Sequence, residues 1–322
     1  MGYKPLIIIL ILATQSVAQN TFDPLSIGMG ARALGMGRAA VAIAEEGDTI
    51  FTNPAGLGEI DSFKFSSMAG NLLEDVNYTV LGAVYPLGKQ SAVGFGYVGS
   101  FTSGIEIRNT SGVLSRKADF GSSVAFASCG TKLGEKTSLG INLKYYFSDG
   151  TEINGGDGSG WNMDIGILQR GLSWLSLGLV GKNLLSSGKI SYQNGESENL
   201  PQAVKAGARL YLLGSGFNSA VFCPLELVAA VDGEFNSQYP KSVMLHSGLE
   251  LSPSPFLTLR IGLDQDNYTS GLSLKFAGLG FHYAYHPSAQ YFSITFDERG
   301  WPPEEETPNI FLGCKNKFPV LE

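Results

Sequence analysis

The sequence predicts an all-β fold: a closed, antiparallel transmembrane β-barrel of about fourteen strands. Strand-like segments follow one another from Ser62 to Phe296, and their connections switch between short turns and long, polar, glycine-rich loops. Outer-membrane barrels have short turns at one end and long loops at the other, so this rhythm is typical of them. The short turns are Leu87–Lys89, Gly171–Ser173 and Ser252–Pro255, and the long loops are Thr102–Lys117, Asp149–Gly158 and Leu185–Leu200.

Apolar and polar residues alternate within single segments, which places them on opposite faces of a strand. In the segment Phe256–Gln265, Leu257, Leu259, Ile261 and Leu263 alternate with Thr258, Arg260, Gly262 and Asp264. A water-soluble β-sandwich shows the same period and is the alternative. Segments of ten residues or more favour the barrel, because soluble strands most often have about five or six residues and membrane strands about nine to eleven. Aromatic residues near strand ends, including Trp161, Trp174 and Tyr285, are typical of interfacial girdles.

The two ends of the chain differ in composition from the barrel, which we place at residues 61–297. Residues 1–18 have the pattern of a secretory signal peptide: Lys4, the apolar run Leu6–Leu12 and the small residues Ser16–Ala18 before the cleavage site. An uncleaved anchor is the alternative. Residues 298–322 form a tail rich in Pro and Glu, a composition that favours an extended, solvated segment.

Composition argues against several classes of function. The chain carries 22 Lys+Arg against 29 Asp+Glu and has no basic patch, so a nucleic-acid partner is not expected. Three scattered cysteines, Cys129, Cys223 and Cys314, imply neither a disulfide framework nor a metal site, although a Cys129–Cys223 bridge stays open. The letters of Gly94–Gly99 match a dinucleotide fingerprint, but they lie within a strand that no helix follows. We therefore expect no enzyme activity, no metal and no cofactor.

The N-terminal region carries a specific resemblance. Its sequence reads GARALGMG over Gly30–Gly37, EEGD over Glu45–Asp48 and NPAGL over Asn53–Leu57. These motifs resemble the N-terminal signature of the PorV/PorQ family, within the FadL-like outer-membrane β-barrel proteins. The final hairpin, Tyr283–Tyr285 and Phe292–Ile294, is similar to the closing strands of that family. The resemblance implies a fourteen-stranded barrel in which residues 19–60 fold into the lumen as a hatch, with the hatch residues Gly35, Gly37, Asn53, Pro54 and Ala55.

Physical reasoning also favours a hatch. Wall side chains alone do not fill a barrel of fourteen strands, so its lumen holds water or a plug. Small residues from Gly28 to Ala44 let a backbone approach wall glycines, among which we name Gly94, Gly96, Gly140 and Gly207. A short helix over Gly35–Ala44 is compatible with this composition. The alternative is an ordinary first strand or a disordered leader.

The predicted inner face carries charges of both signs. We expect a luminal polar wall made of Lys144, Asp164, Lys205, Arg209, His246, Glu250, Arg260 and Asp264, joined by Lys275 and His282. Opposite charges on neighbouring strands favour pairing with each other and with the hatch over binding a substrate. A bend at Gly94, Gly96 or Gly99 is the natural place for a lateral opening, because glycines weaken a strand and leave gaps.

Two functions follow from these features. As a PorV/PorQ-type protein, the barrel would act in protein secretion or surface export by binding secreted or envelope proteins. As a FadL-like channel, it would take up a hydrophobic small molecule. Both place the protein in the outer membrane of a Gram-negative-type envelope, in contact with lipid, with both termini in the periplasm.

Overall fold

The structure is a computed structural model that describes residues 24–72, 76–151, 156–214, 225–237 and 242–300. The predicted signal peptide, residues 19–23, Cys223, Cys314 and most of the predicted tail lie outside the described residues. The described chain begins with the 3-10 helix Pro24–Ser26, followed by α1 (Ala31–Gly35), α2 (Thr49–Thr52) and a second 3-10 helix, Pro54–Glu59. The strands are β1 (Lys64–Leu72), β2 (Val76–Pro86), β3 (Ser91–Arg108), β4 (Leu114–Leu133), β5 (Thr137–Thr151), β6 (Gly158–Leu172), β7 (Leu175–Lys182), β8 (Lys189–Tyr192), β9 (Ser197–Asn199), β10 (Ala203–Leu213), β11 (Glu226–Asn236), β12 (Val243–Ser254), β13 (Leu257–Asp264), β14 (Asn267–Phe276), β15 (Leu279–His286) and β16 (Ala289–Asp297).

Fourteen of these strands close into a single antiparallel barrel, as the sequence predicts. Strands β1 to β7 and β10 to β16 pair with their neighbours in chain order, and β1 pairs with β16 from Lys64↔Asp297 to Leu72↔Ala289. The remaining two, β8 and β9, form a short hairpin within the connection between β7 and β10, and β8 pairs with the beginning of β6. Closure leaves no edge strand in the wall, which satisfies the backbone hydrogen bonds that a lipid environment cannot.

The two faces of the wall have the predicted chemistry. In β13, Leu259 and Ile261 are 43% and 61% exposed on the outer face, whereas Thr258 and Arg260 are 5% and 3% exposed on the inner face. In β5, Ile141 and Leu143 point outward, and Asn142 and Lys144 are buried inside. Apolar side chains thus surround the barrel, the arrangement that hydrocarbon requires. The β-sandwich alternative, in which the apolar faces of two sheets meet, is wrong.

The connections define two ends of the barrel. At the turn end, where β1 begins and β16 ends, adjacent strands are joined by residues 87–90, 134–136, 173–174, 255–256 and 277–278. One connection at this end departs from the predicted rhythm, because β11 starts at Glu226 and residues 214–225 join it to β10. At the loop end, the predicted loop Thr102–Lys117 is mostly strand: β3 and β4 continue past their neighbours as a hairpin whose turn is residues 109–113.

The short helices lie before the first strand. The predicted helix over Gly35–Ala44 is wrong, since α1 spans Ala31–Gly35 and ends there. Gly37 has a φ of 63°, a left-handed conformation that stops the helix and that glycine adopts without strain. Among the described residues, no helix has both the length and the apolar character needed to cross a membrane.

Candidate functional site

Residues 24–60, which we call the plug, lie inside the barrel and contact the inner face of every one of its fourteen strands. They span the lumen from end to end. The carbonyls of Pro24 and Gly28 accept hydrogen bonds from the Tyr78 hydroxyl near the loop end, at 3.1 and 3.2 Å, whereas Lys64 starts β1 at the turn end. The described chain therefore begins close to the loop end, and the predicted periplasmic N-terminus lies outside the described residues.

The Asn53–Pro54–Ala55 turn is fixed against β5 and β6. Asn53 is fully buried, and its side-chain amide donates to the carbonyls of Val41 and Ile167 at 2.9 and 3.1 Å. Its side-chain oxygen accepts from the backbone N–H of Ala55 at 3.1 Å. A Cβ atom added at Gly140 would overlap the backbone of Pro54, so the turn and the wall touch through their main chains.

A second close approach lies on the opposite side of the lumen, where Gly35, Met36 and Gly37 meet β12, β13 and β14. The N–H of Gly37 donates to the Thr269 hydroxyl at 3.0 Å. Cβ atoms added at Gly248 or Gly262 would overlap the backbone of Met36 or Gly37. Gly248 and Gly262 belong to a larger set of wall glycines at which an added Cβ atom would contact the plug. The other members are Gly82, Gly94, Gly96, Gly130, Gly166, Gly178 and Gly271. At Gly178, Gly248 and Gly262 the wall lies against the plug backbone, whereas Gly94 and Gly96 make room for plug side chains, so the plug is closely packed against the wall.

Plug charges neutralise the polar wall towards the turn end. The Arg32 guanidinium donates to both carboxylate oxygens of Glu250, at 2.6 and 2.9 Å, and the same carboxylate accepts from Arg260 at 2.6 Å. Glu46 pairs with Lys275 at 3.0 Å. His282 joins this region through the Ser273 hydroxyl, at 2.6 Å from Nδ1. The wall charges therefore hold the plug rather than stand free.

Glu45 lies at the centre of three guanidiniums. It pairs with Arg209, with Arg170 at 3.1 Å and with Arg32 at 3.5 Å. Burial alone would raise the pKa of the Glu45 carboxyl, but Arg209, Arg170 and Arg32 together lower it to about 2. Glu45 is an ionised link between the plug and β6 and β10.

Asp48 has the opposite electrostatics. Burial and the neighbouring charge of Glu46 raise the pKa of Asp48 to about 7. Its carboxylate lies beside Gly30, where an added Cβ would overlap it. The plug thus contains acids that are ionised throughout the physiological range, Glu45 and Glu46, beside Asp48, whose pKa lies within that range.

The remaining predicted wall residues lie nearer the loop end, and all are buried. Lys144 pairs with Asp164 at 2.6 Å, and Lys205 donates to the carbonyl of Arg38 at 2.7 Å. His246 Nδ1 lies 2.8 Å from a carboxylate oxygen of Asp264. The ten predicted residues are therefore distributed around the lumen in several groups joined by ion pairs and hydrogen bonds, and they do not form a single constellation.

Opposite the charged region, the lumen is apolar. Ile50, Phe51 and Leu57 of the plug pack against a wall surface made of Val80, Val84, Val98, Val124 and Phe126. The rings of Phe51 and Phe126 meet edge to face, with centroids 5.2 Å apart. The plug thus matches a two-sided lumen with an apolar face and a charged face.

A vestibule of about 450 Å³ remains between the plug and the loop end. Apolar side chains of Leu25, Met29, Phe51, Ile190 and Leu200 line part of it. Charged and polar side chains line the rest, among them Arg38, Lys144, Lys182, Lys205, Glu198, Glu234 and His246. Its volume is in the range of small-molecule sites, and its mixed lining suits a molecule with an apolar body.

No lateral opening is present at the predicted glycines. β2 and β3 pair without interruption from Val76↔Thr102 to Pro86↔Ala92, a stretch that includes Gly94, Gly96 and Gly99. Gly94 and Gly96 face inward and make room for Ile50 and Phe51, and the ring of Tyr97 covers Gly99 on the outer face. Gly207, also predicted to receive the plug, makes room for Asp232, which accepts the backbone N–H groups of Ala40 and Val41.

Sequence reasoning missed the plug side of these contacts. Arg32, Glu45 and Glu46 lie in the quoted motifs, but nothing in one sequence pairs them with Glu250, Arg209 or Lys275, which follow by more than 150 residues. The missed signal is their chemistry: charged side chains in a segment otherwise rich in Gly and Ala require buried partners.

Comparisons with known proteins agree with this architecture. No family model matches the chain, and no curated protein matches it either, so the resemblance to PorV/PorQ has no family match behind it. Among solved structures, the chain is similar to the CymD monoaromatic hydrocarbon channel, with a TM-score of 0.52 and 12% identity over 84% of this chain and 96% of that one. It is equally similar to a deletion mutant of the TodX monoaromatic hydrocarbon channel, with a TM-score of 0.52 and 12% identity over 83% and 97% of the two chains. A Pseudomonas aeruginosa FadL homologue gives a TM-score of 0.50 and 10% identity over 84% and 98%. At these identities the likeness establishes the fold alone: a closed fourteen-stranded barrel like that of these channels.

Proposed function

We propose that this protein is an outer-membrane channel that admits small hydrophobic molecules, and that it has no enzyme activity. The vestibule carries the proposal, because it offers apolar surface at one end of a lumen whose other end the plug closes. A molecule that enters from the loop end meets Leu25, Met29 and Phe51 on the surface that the plug presents to the vestibule. The fold likeness to channels named for monoaromatic hydrocarbons supports this class of ligand.

The apolar outer face supports residence in a membrane. Outer-membrane barrels have their short turns in the periplasm and their long loops outside, which favours the same orientation for the turn end and the loop end of this barrel. The plug contacts the wall on all sides of the lumen. Passage therefore requires either a local rearrangement of the plug or release of the ligand sideways, and the ion pairs around Glu45 and Glu250 set the cost of the first route.

Protein secretion through bound cargo is the other function that the sequence predicts. The long loops and the tail would carry it, and the tail beyond Gly300 lies outside the described residues. Among the described residues, the vestibule favours a small molecule over a protein partner, because its volume is that of a small-molecule site.

The channel proposal is tested by uptake into vesicles whose outer leaflet contains lipopolysaccharide, which slows unaided entry of hydrophobic molecules. We expect the barrel to speed the entry of a labelled monoaromatic hydrocarbon. Thr52→Trp places a bulky ring on the vestibule floor and should abolish most of the gain. Val231→Trp places the same ring on the outer face, where Val231 is 50% exposed, and is the matched control. Entry no faster than into protein-free vesicles would refute the channel.

A further inference from the structure

The barrel wall is lower at β7 and β10 than at the neighbouring strand β6. Lys182, the last residue of β7, pairs with Ala203, the first residue of β10, so both strands stop at the same level. β6 continues beyond that level towards the loop end, where its Gly158 pairs with Tyr192 of β8. Residues 183–202, which we call the inserted segment, occupy the place of the missing wall.

The inserted segment turns into the mouth of the barrel. Ile190 and Leu200 are buried, and they belong to the same apolar cluster as the inner-wall residues Val124 and Tyr146. The backbone of Lys189 passes so close to the inner face of β6 that a Cβ added at Gly160 would overlap its carbonyl oxygen. Ile190, Glu198 and Leu200 of this segment line the vestibule, so the segment narrows the way in from the loop end.

Asn183 ties both ends of the inserted segment to the wall. Its side-chain oxygen accepts from the Lys144 ammonium at 2.5 Å and from the Tyr146 hydroxyl at 3.0 Å. Its side-chain amide donates to the carbonyl of Pro201, at the far end of the segment, at 2.8 Å. Asn183 itself has a φ of 55°, a left-handed conformation that asparagine tolerates and that turns the chain out of the strand.

These contacts show what fixes the segment. Asn183 is 4% exposed, and its partners Lys144 and Tyr146 are 0% and 2% exposed, so water has little access to these hydrogen bonds. If Asn183 moved away, its buried partners would lose a hydrogen bond that water does not replace. Because this costs free energy, the hydrogen bonds hold Asn183 in one position. The segment is therefore held at both ends, and its apolar residues Ile190 and Leu200 line the vestibule between these ends.

We propose that the inserted segment, positioned by Asn183, sets the upper size limit for molecules that reach the vestibule floor. The inference rests on the proposed function only for the nature of those molecules. It assigns Ile190 and Leu200 as the side chains that set the limit and Asn183 as a positioning residue.

The test measures access directly and does not depend on transport. In a chain whose three native cysteines are replaced by serine, Thr52→Cys introduces a thiol on the vestibule floor. Its rates of reaction with N-ethylmaleimide and with a polyethylene-glycol maleimide are compared in detergent-solubilised, folded barrel. The ratio of the two rates within one variant removes any difference in the reactivity of the thiol.

We expect the large reagent to react far more slowly than the small one. Asn183→Ala and, separately, Ile190→Ala should each reduce the ratio of the small-reagent rate to the large-reagent rate by about tenfold or more. Loss of buried hydrogen bonds or apolar contacts is expected to raise the population of displaced segment by about this factor. Ile190→Ala leaves the hydrogen bonds of Asn183 intact and covers the case in which Asn183→Ala does not fold. Asn194→Ala is the matched control, because Asn194 lies in the exposed turn of the same segment and its side chain bonds to Glu196 within that turn.

Equal rates for the two reagents in the parent would overturn the proposal. So would a rate ratio that is the same in the parent and in every folded variant. Hydrocarbon uptake is measured on the same variants. If the barrel fails to speed uptake but the size limit holds and shifts as expected, the channel function falls while the size limit stands.

Discussion

The guanidinium of Arg32 in the plug donates hydrogen bonds to both carboxylate oxygens of Glu250 on the barrel wall, at 2.6 and 2.9 Å, although the two residues are 218 positions apart in the sequence. The side chains are 13% and 7% exposed. Glu250 also accepts from Arg260, so one wall carboxylate joins the plug to β13. This bidentate geometry is the strong form of a charge-assisted hydrogen bond, and it makes the plug part of the barrel's stability.

Removing Arg32 should therefore destabilise the folded barrel. Arg32→Ala leaves Glu250 buried with one cation fewer, and breaking such a pair costs about 3–5 kcal/mol. The measurement is urea unfolding in detergent, followed by tryptophan fluorescence. Arg299→Ala is the matched control, because Arg299 pairs with Asp61 on the surface, where both side chains are about half exposed and a pair is worth about 0–1 kcal/mol. Equal losses in the two variants would contradict a structural role for the Arg32–Glu250 pair.

A methyl group added at Gly140 should displace the plug from the barrel wall. The Cβ of Gly140→Ala would overlap the backbone of Pro54, and neither main chain can give way cheaply. We expect higher ion conductance in planar bilayers than for the parent barrel, since a displaced plug exposes the lumen. Gly233→Ala, in β11, is the control, because its added Cβ would find its nearest atom at 3.6 Å. Unchanged conductance in a folded Gly140→Ala barrel would show that the plug does not depend on this contact.

Asp48 should make the plug sensitive to pH near neutrality. An acid whose pKa is raised on folding favours the folded state most at low pH, and that advantage falls as pH rises. The contribution of Asp48 to stability falls between the pKa of the carboxyl in the unfolded chain, about 4, and its pKa in the folded protein, about 7. Above pH 7 this contribution no longer changes with pH. Hydrogen exchange of plug amides should therefore be faster at pH 7.5 than at pH 5.5 after correction for intrinsic rates. Asp48→Asn should remove this dependence, and an equally steep profile in Asp48→Asn would assign it to another group.

Glu45 should act in the opposite direction and in a lower pH range. Its pKa is lowered to about 2, so the stability that it contributes is present above the unfolded pKa, about 4.3, and is lost as pH falls towards 2. Glu45→Gln should remove this acid-labile contribution and lower the urea midpoint at pH 6. A midpoint at pH 6 that does not change would mean that Arg209 and Arg170 find other partners.

A charge on the outer face should show whether that face meets lipid. Ile261 is 61% exposed in the middle of β13, where an arginine facing the bilayer midplane costs about 2–4 kcal/mol. Ile261→Arg should therefore reduce the yield of folded barrel in phospholipid vesicles. Val113→Arg is the matched control, because Val113 is 60% exposed in the turn of the β3–β4 hairpin, beyond the neighbouring strands. Equal yields for the two variants would argue that Ile261 faces water.

The strand period predicted much of the barrel and of its inner face. Arg260 and Asp264 point inward because adjacent residues of a strand face opposite sides, a rule that needs no knowledge of the neighbours. The same rule places Lys144, Lys205 and Arg209 inside. What it could not give was their partners, since Arg32, Arg38 and Glu45 belong to a segment without strand periodicity.

The glycines show the same limit. Gly94, Gly96 and Gly140 were expected to receive the plug, and each faces it, while Gly207 faces Asp232. A glycine marks a place where something comes close, but the sequence does not say what. For that reason a lateral opening and a contact with the plug were both compatible with Gly94 and Gly96, and only the unbroken pairing of β2 with β3 separates them.

The sequence by itself determined the strand number, the in-and-out alternation and the charge of the lumen, because these depend on the period of each strand. Only the tertiary structure decided which plug residue meets which wall residue. It also decided that residues 183–202 turn inward over the vestibule. The physical reason is closure: the β1–β16 pairing joins residues more than 200 positions apart, and every contact across the lumen depends on it.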